Sequence, residues 1–477
     1  MLTYTTKFQT QLLLFLVSLI FFISITGGNF WESDSQTVYY LTKSITDQGQ
    51  ISIPCLWEAG EFQGKCYSKY GLFSSISVIP LYLLEKLFRE FFHNSYFFAG
   101  FFSSLTNCFI SSLLVVLIYQ YLIKMEFSKK TSALISLLFG FCTYLPVYTK
   151  TLFAEPLITL LTYSSIYLLI FRAPKLSNFF WAGILIGLAF LTKFSLIIFL
   201  PVFFLLFLFK KPTIKQLFYF SFPTVISIII FFCYNYIRFN NILDTGYRNM
   251  SLDHPLIYGL YLQVLSPGKS LFLYQPFIIF FIFGIKSFYN RQKVLSLLLA
   301  IFVAISLIFY SIFTSPTGDL TWGSRYLYPT LPFYIFCVAY FIKYNKNKTL
   351  LKIFFVAIIL SFIIQASAIF LSYHRYDSYL SKKIGVNYLQ KSYNNIHLSP
   401  LFGQWKMIFN LGYNNIDDQA WREAFQEHIN FNTKYIIAPT DMFFLRSKKE
   451  LVVLTLFFVL ELVLIKKLNN QLTRKNI

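Results

Sequence analysis

Two carboxylates follow directly on the first long apolar run of the sequence. Glu32 and Asp34 lie in NFWESDSQTVYYLTKS (29–44), just after the run QLLLFLVSLIFFISIT (11–26), and Lys69 and Tyr70 come later in the same polar stretch. A carboxylate can accept a proton from a hydroxyl group, and a nearby lysine can stabilise an anion. These residue types fit acid–base chemistry at a membrane surface, facing a lipid-borne substrate. They fit equally an interfacial salt bridge or a solvated acidic loop.

Other charged residues stand at the ends of further apolar runs. They are Glu155 in FAEPLITLL, Arg238 in YNYIRFNNILDTGY, Lys269 in SPGKSLFLYQP and Arg325 in GDLTWGSRYLYPTLPF. An acid that faces lipid is costly, so Glu155 is expected to face protein or a cavity, or to complement a helix N-terminus. The planar fork of Arg325 suits two oxygens of a phosphate, although an interfacial arginine in an aromatic belt has the same sequence pattern. Arg238 and Lys269 can also extend to the membrane interface without binding anything.

Several kinds of site are missing from the sequence. It has no phosphate loop, nucleophile elbow, HExxH or EF-hand pattern, and no Cys/His cluster that indicates a metal site. We therefore expect no cofactor, with a divalent ion left open, and the energy for any transfer must arrive in an activated lipid or a gradient. Four cysteines lie in apolar runs and are expected to be packing residues, namely Cys108, Cys142, Cys233 and Cys337. Cys55 and Cys66 share one loop and form either a disulfide or two free thiols.

The composition indicates a polytopic membrane protein. Of 477 residues 56% are hydrophobic and only 13% are charged, about half the usual charged share of a soluble domain. Twelve apolar runs approach the length of a membrane span. They are 10–26, 96–122, 131–148, 155–171, 179–193, 195–209, 216–236, 271–285, 294–313, 325–342, 349–371 and 450–465. The stretch 76–92 is instead predicted to be an amphipathic interfacial helix, with Leu81, Leu84, Leu87, Phe88 and Phe91 on one face and Glu85, Lys86, Arg89 and Glu90 on the other.

The charge pattern predicts which side each loop occupies. With a cytoplasmic N-terminus, the inner segments are rich in Lys and Arg and contain only Glu126 and Glu461 as acids, which follows the positive-inside rule. This accounts for most of the net charge of +21 without nucleic-acid binding. The predicted organisation is a transmembrane module 1–371 with a first outer loop 27–95, an extracytoplasmic segment 372–449, and a last helix with a cytoplasmic tail, 450–477.

Taken in order, these residues resemble the GT-C superfamily of membrane glycosyltransferases, and most of all the bacterial protein mannosyltransferase and lipid A aminoarabinose transferase group. That group has an acid after the first helix, a tyrosine-bearing helix, and a K-Y-G/P element before juxtamembrane helices. Here these are Asp34, Tyr39 with Tyr40, and SKYGLFSSISVIPLYLL. The stretches AGILIGLAFLTKFSLIIFLP and WGSRYLYPTLPF are also similar, and the resemblance runs from about residue 10 to 345. Ser35 stands where the group has a second acid, and 372–449 lies outside the resemblance.

The resemblance implies an all-α fold of about twelve transmembrane helices and transfer of a sugar from a polyprenyl-phosphate donor. It implies Asp34 as the catalytic base, and Lys69 and Arg325 as the groups that bind the donor phosphate. Candidates for substrate binding are Glu32, Tyr39, Tyr70, Glu155, Arg238 and Lys269. The implied partners are a polyprenyl-phosphate sugar, membrane lipid and an acceptor that stays open, with the site on the extracytoplasmic face of a bacterial inner membrane.

Two other function classes fit the composition. A lipid-linked glycan flippase or polymerase-ligase also has many spans and basic outer loops, but it typically uses outer arginines and a histidine, or charges buried in mid-span. A solute transporter fits less well, because no internal repeat is evident and few spans are interrupted by Gly or Pro.

Overall fold

Helices dominate the structure, a computed structural model that describes residues 2–26, 28, 30, 32–56, 59–92, 100–247, 250–410 and 448–473. In chain order the helices are α1 (Leu2–Ile25), α2 (Ser33–Gln48), α3 (Leu72–Ile76), α4 (Ile79–Phe91), α5 (Phe101–Ser104), α6 (Thr106–Lys124), α7 (Lys129–Cys142), α8 (Leu145–Thr149), α9 (Ala154–Phe171), α10 (Leu176–Thr192), α11 (Leu200–Lys210), α12 (Ile214–Phe239), α13 (Leu256–Val264), α14 (Leu271–Tyr274), α15 (Phe281–Arg291), α16 (Lys293–Ser311), α17 (Leu331–Tyr344), α18 (Lys348–Phe370), α19 (Tyr373–Ile384), α20 (Tyr388–Asn394), α21 (Pro400–Asn410) and α22 (Lys448–Thr473). Short 3-10 helices cover Phe194–Phe199, Pro276–Phe280, Arg325–Thr330 and Ile396–Leu398.

The long helices make the chain a multi-pass membrane protein. Within the described residues, six are long and apolar enough to cross a membrane: Phe8–Ile25, Phe101–Lys124, Ala154–Phe171, Ile214–Phe239, Lys293–Ser311 and Lys348–Phe370. The apolar stretches Leu176–Thr192 and Phe194–Lys210 are shorter. The helical, polytopic fold class is therefore confirmed, whereas the number of twelve spans stays a prediction.

Glycine allows two of these helices to approach closely. Gly183 and Gly187 lie four residues apart on α10, so they share one face. A Cβ atom at Gly183 would lie 2.1 Å from the backbone oxygen of Phe220, and one at Gly187 would lie 2.2 Å from Oγ of Ser227. Such small-residue spacing is typical of close helix packing in membranes. It holds α10 against α12, so that the ends of both helices lie near the site described below.

The first outer loop corrects the all-α prediction, because it contains a three-stranded antiparallel sheet. The strands are β1 (Ser52–Ile53), β2 (Ala59–Phe62) and β3 (Lys65–Ser68), in the order β1-β3-β2. Gln63 and Gly64 both have positive φ, which is the turn geometry that matches the twist of two hairpin strands. Cys55 and Cys66 form a disulfide, so the first of the two alternatives for these cysteines is confirmed.

The predicted stretch 76–92 contains α4, but one of its faces was predicted wrongly. Glu85, expected on the polar outer face, is fully buried. Its carboxylate accepts hydrogen bonds from Tyr39 Oη (2.7 Å), Gly100 N (2.7 Å), and Ser103 N and Oγ (3.1 and 2.7 Å). Leu87 and Phe91, one turn apart, are exposed. The helix therefore buries its acid on the protein side, and its position at the membrane interface stays a prediction.

The segment predicted to be extracytoplasmic, 372–449, begins with α19, α20 and α21, which pack on neighbouring parts of the membrane module. Ser399 Oγ donates to the carbonyl of Pro267 (2.6 Å), and Gln404 Nε2 donates to that of Leu371 at the end of α18 (2.6 Å). The rest of the predicted segment, 411–447, lies outside the described residues, as do residues 474–477 of the predicted tail. Among the cysteines, Cys108, Cys142 and Cys337 are buried as predicted, whereas Cys233 is exposed.

Candidate active site

Helix α2 and its N-cap place the two acids that follow the first helix, Glu32 and Asp34. Glu32 is the N-cap residue with extended backbone, and Asp34 lies in the first helical turn, where the helix dipole stabilises a negative charge. The helix is followed by Gly49, whose φ of 63° lies in the left-handed region that glycine adopts easily at the end of a helix. This helix carries Tyr39 and Tyr40, as the family resemblance implied.

Asp34 belongs to a row of four alternating charges that we call the four-charge chain: Asp34, Arg325, Glu155 and Lys193. Arg325 Nη1 lies 2.9 Å from Asp34 Oδ2, and its Nε lies 3.4 Å from Glu155 Oε1. Lys193 Nζ lies 2.8 Å from the same Glu155 oxygen. The four residues come from α2, the 3-10 helix before α17, the first turn of α9 and the residue after α10. Four distant parts of the sequence thus meet at one point.

The loop before Arg325 is held by buried contacts. Gly323 has a φ of 65° and lies so close to Tyr144 that a Cβ would come within 2.4 Å of its hydroxyl oxygen. Next to it, Trp322 Nε1 donates to Gln365 Oε1 (3.1 Å). Lys269 Nζ donates to the carbonyl oxygens of Asp319 and Thr321. These contacts explain why Gly, Trp and Lys occur around this arginine, and they leave it in one defined position.

The surroundings of Asp34 keep its carboxyl group ionised. Burial is the largest single effect and raises the pKa of Asp34, whereas the nearby charge of Arg325 lowers it. A hydrogen bond from Tyr70 and the charge of Lys69 lower it further, so the pKa of Asp34 lies below its ordinary value. At neutral pH the group is therefore an anion and a hydrogen-bond acceptor.

Lys69 and Tyr70 directly follow β3 and lie beside Asp34. The Lys69 ammonium lies 5.5 Å from the ring centre of Tyr70 and 5.3 Å from that of Tyr247. Gly246, with φ of 82°, packs against the Lys69 backbone, where a Cβ would lie 3.2 Å from Cα. The aromatic rings thus orient the ammonium by cation–π contacts.

Arg238 ties α12 to the sheet. It is almost fully buried, donates to the carbonyl of Ser68 and to Asn235 Oδ1 (2.5 Å), and lies 3.9 Å from the ring centre of Tyr234. Ser68 is the residue before Lys69. Arg238 therefore fixes the position of the Lys69 element, in addition to facing the cavity described next.

Glu32 faces a histidine from the outer segment. His374 Nε2 lies 3.6 Å from Glu32 Oε1, and Ser35 Oγ donates to Glu32 Oε2 (3.1 Å). Ser35 also accepts a hydrogen bond from Leu152 N (2.9 Å). The serine that replaces the second acid of the resembling group thus links α2 to the segment before α9.

Most of the charged groups described above line one cavity of about 710 Å³. Its charged lining includes the four-charge chain, Glu32, Lys69, Arg238 and His374. Its apolar lining includes Phe194, Ile197, Ile198, Phe231, Met250, Leu252, Phe309 and Phe313. The cavity therefore suits a molecule that is anionic or polar at one end and hydrocarbon at the other.

The structure brings seven of the nine predicted site residues to this cavity. They are Glu32, Asp34, Lys69, Tyr70, Glu155, Arg238 and Arg325. The other two, Tyr39 and Lys269, are not in its lining. Tyr39 donates to the buried Glu85, and Lys269 holds the loop before Arg325, where burial lowers its pKa to about 8. Both side chains make contacts within the protein outside this lining, and a role of either in substrate binding stays a prediction.

Sequence reasoning missed two residues of the site. Lys193 is the single charged residue inside the apolar stretch 176–209. Since a buried Glu155 needs a cationic partner, the sequence contained a signal that could have identified Lys193. His374 belongs to the segment outside the family resemblance and gave no such pattern. Among the described residues, no group of three or more His, Cys, Asp and Glu side chains is placed to hold a metal ion. Asp34 and Glu155 contact cationic side chains.

Comparisons with known proteins agree with this architecture. Residues 80–236 match the family model of the dolichyl-phosphate-mannose-protein mannosyltransferases. No curated protein matches the chain in sequence. Among solved structures, the chain is similar to ArnT from Cupriavidus metallidurans bound to undecaprenyl phosphate, with a TM-score of 0.53 and 13% identity over 88% of this chain and 75% of that one. The archaeal oligosaccharyltransferase AglB from Archaeoglobus fulgidus, in complex with an inhibitory peptide and a dolichol-phosphate, matches with a TM-score of 0.41 and 11% identity over 87% of this chain and 59% of that one.

Proposed function

From the premise that the chain has the fold of the GT-C superfamily of membrane glycosyltransferases, as its sequence predicted, we propose that it transfers a sugar from a polyprenyl-phosphate donor to the hydroxyl group of an acceptor. The observation that carries the proposal is the cavity, which joins an apolar lining to an ionised carboxylate with cations around it. A polyprenyl-phosphate sugar has both characters in one molecule. ArnT, similar in fold, is bound to undecaprenyl phosphate, a lipid phosphate of this class.

In the proposed reaction Asp34 is the general base. The acceptor hydroxyl gives its proton to the Asp34 carboxylate while its oxygen bonds to the anomeric carbon of the sugar. The bond from that carbon to the phosphate oxygen breaks, and its electron pair leaves with the polyprenyl phosphate. This single displacement inverts the anomeric centre.

Charge develops on the departing phosphate, so cations near it lower the barrier. Lys69 is the proposed phosphate ligand on one side, because the ammonium lies next to Asp34 and is oriented by two tyrosines. Arg325 is the second, because its remaining guanidinium donors can bind two phosphate oxygens at once. Glu32, Tyr70 and Arg238 are left as contacts to the sugar or the acceptor.

We propose that the cavity opens to the extracytoplasmic face of a bacterial inner membrane. The C-terminal ends of α10, α12 and α16 and the N-terminal end of α9 contribute residues to the cavity, and the charge pattern predicts that each of these ends is outer. The Cys55–Cys66 disulfide in the same loop fits an oxidising compartment. The twelve spans and the extracytoplasmic position of 372–449 belong to this proposal.

The test is to supply purified protein with radiolabelled polyprenyl-phosphate sugars and candidate acceptors, and to measure release of the free lipid phosphate. The expected result is release that depends on the acceptor and is lost in Asp34→Asn. A flippase, polymerase-ligase or transporter would not release polyprenyl phosphate from a monosaccharide donor. Absence of release with every donor sugar tested, from protein that binds polyprenyl phosphate, would contradict the proposal.

A further inference from the structure

Arg325 is held by two carboxylates through different nitrogen atoms. Nη1 contacts Asp34 at 2.9 Å, whereas Nε lies 3.4 Å from Glu155. The proposed reaction needs one base and the cations that bind phosphate. It does not account for a second buried acid on the same guanidinium, or for the lysine behind that acid.

Lys193 shares a single oxygen of Glu155 with Arg325. Its ammonium lies 2.8 Å from Glu155 Oε1, the same atom that faces the guanidinium, and 4.5 Å from the ring centre of Tyr326. The Glu155 side chain is only 2% exposed, so its charge needs a partner. Lys193 supplies that partner and balances part of the Glu155 charge. Glu155 therefore attracts the Nε side of Arg325 but does not neutralise the whole guanidinium.

The four-charge chain has two acids and two bases, so it is neutral before the donor arrives. Arg325 then has its Nε at ion-pair distance from Glu155, without a hydrogen bond, and its Nη side on Asp34, facing the cavity. A guanidinium has five donors in a rigid fork, and a phosphate is a stronger bidentate partner for it than one carboxylate oxygen. A donor phosphate beside Asp34 can therefore take over the Nη contact while Nε stays on Glu155.

We propose that Glu155 and Lys193 are positioning residues that hold Arg325 ready to exchange Asp34 for the donor phosphate, so that Asp34 is released as a base only when the donor is bound. This inference rests on the proposed function, and it adds an order of events to it. Before exchange, Asp34 is paired with Arg325 and is a weak proton acceptor. After exchange, the guanidinium stabilises the phosphate and the carboxylate faces the acceptor hydroxyl.

The inference predicts opposite effects for the two partners. Lys193→Met leaves an extra negative charge beside the phosphate, so donor binding should weaken by about tenfold or more. Glu155→Gln leaves an extra positive charge, so donor binding should tighten. The kcat of Glu155→Gln should nevertheless fall. Without Glu155 as a second acid, Arg325 keeps its contact with Asp34, and the carboxylate is not released to act as a base. The double variant Lys193→Met/Glu155→Gln is neutral again and should bind the donor with nearly wild-type affinity.

The experiment measures the equilibrium affinity for polyprenyl phosphate, the donor KM and kcat in these three variants, with Lys193→Arg as the charge-preserving control. Thermal unfolding in the same detergent checks folding, and Lys193→Gln and Glu155→Ala replace any single variant that does not fold.

Opposite shifts in affinity, with recovery in the double variant, support the inference. Shifts in the same direction, or a double variant as weak as Lys193→Met, overturn it. Because affinity is measured without turnover, a wild-type protein that binds polyprenyl phosphate but transfers no sugar contradicts only the proposed function, whereas the direction of the shifts still tests the charge pair.

Discussion

Two carboxylates near the start of the chain, Glu85 and Asp34, have partners that differ in kind. Glu85 on α4 is fully buried and accepts four hydrogen bonds from uncharged donors, two of them backbone N–H groups. Asp34 on α2 faces the cavity and is paired with a cation. Glu85 is thus satisfied inside the protein, whereas the partner of Asp34 can be exchanged for a ligand. A buried acid by itself does not identify a catalytic residue in this protein, but the nature of its partners does.

The largest effect is expected at Asp34. Asp34→Asn keeps the shape of the side chain and removes the base, so kcat should fall by about 10²–10⁴-fold. Asp47→Asn is the matched control, because Asp47 is an aspartate of the same helix that pairs with Lys86 away from the cavity. Turnover is measured at equal amounts of folded protein. Near wild-type turnover in Asp34→Asn would remove the proposed base.

At Glu85 the effect should fall on stability instead of rate. Glu85→Gln places an amide N–H₂ among donors that need an acceptor, which should lower the free energy of unfolding by about 1.5–3 kcal/mol. The kcat of the folded protein should stay at the wild-type value, because Glu85 does not line the cavity. Thermal unfolding and turnover are measured on the same preparation. A stable variant with reduced kcat would contradict the distinction between the two acids.

Much of this contrast could be predicted from sequence, and one part could not. The position of Asp34 after the first helix and the order of the later charged stretches predicted the membrane fold and seven residues of the cavity. The faces of α4 were assigned from spacing alone, and spacing cannot show that Tyr39, Gly100 and Ser103 supply hydrogen bonds to Glu85. The small sheet was missed because its strands have only two to four residues, too few to show an alternating pattern in the sequence.

A second pair of residues in the first outer loop gives the next prediction. Lys69→Ala should raise the donor KM by about tenfold, since it removes a cation oriented beside Asp34. Lys86→Ala is the control, because Lys86 is 47% exposed and its pair with Asp47 is a surface salt bridge of small energy. Donor KM is compared in the two variants. Equal values would show that Lys69 does not contact the phosphate.

Glu32 tests whether two acids near one another share a role. Its contacts are Ser35 and His374, at 3.1 and 3.6 Å, and it has no arginine partner in the described part of the chain. Glu32→Gln and His374→Gln should therefore reduce kcat by less than about tenfold, well below the loss expected for a general base. Acceptor KM is the second readout. If Glu32→Gln is inactive and Asp34→Asn is active, the base is Glu32.

The smallest effect concerns pH. Because the pKa of Asp34 in the donor-free protein lies below its ordinary value, its carboxylate should stay ionised there as the pH falls from 7 to about 5. The value of kcat/KM, which reports the ionisation of the free enzyme, should therefore change little over that range. Stability should depend on pH in the same direction. A pKa that is lower in the folded state stabilises the protein at pH values above the unfolded-state pKa of about 3.9, and this contribution is lost as the pH falls through the folded-state pKa. The profile is measured in His374→Gln, so that the imidazole at the cavity does not contribute to it. An acid limb centred between about pH 5 and 6 would mean that burial outweighs the combined effect of Arg325, Tyr70 and Lys69. Asp34 would then be partly protonated in this pH range even though Arg325 lies beside it. The proposed exchange of Arg325 between Asp34 and phosphate would lose its basis.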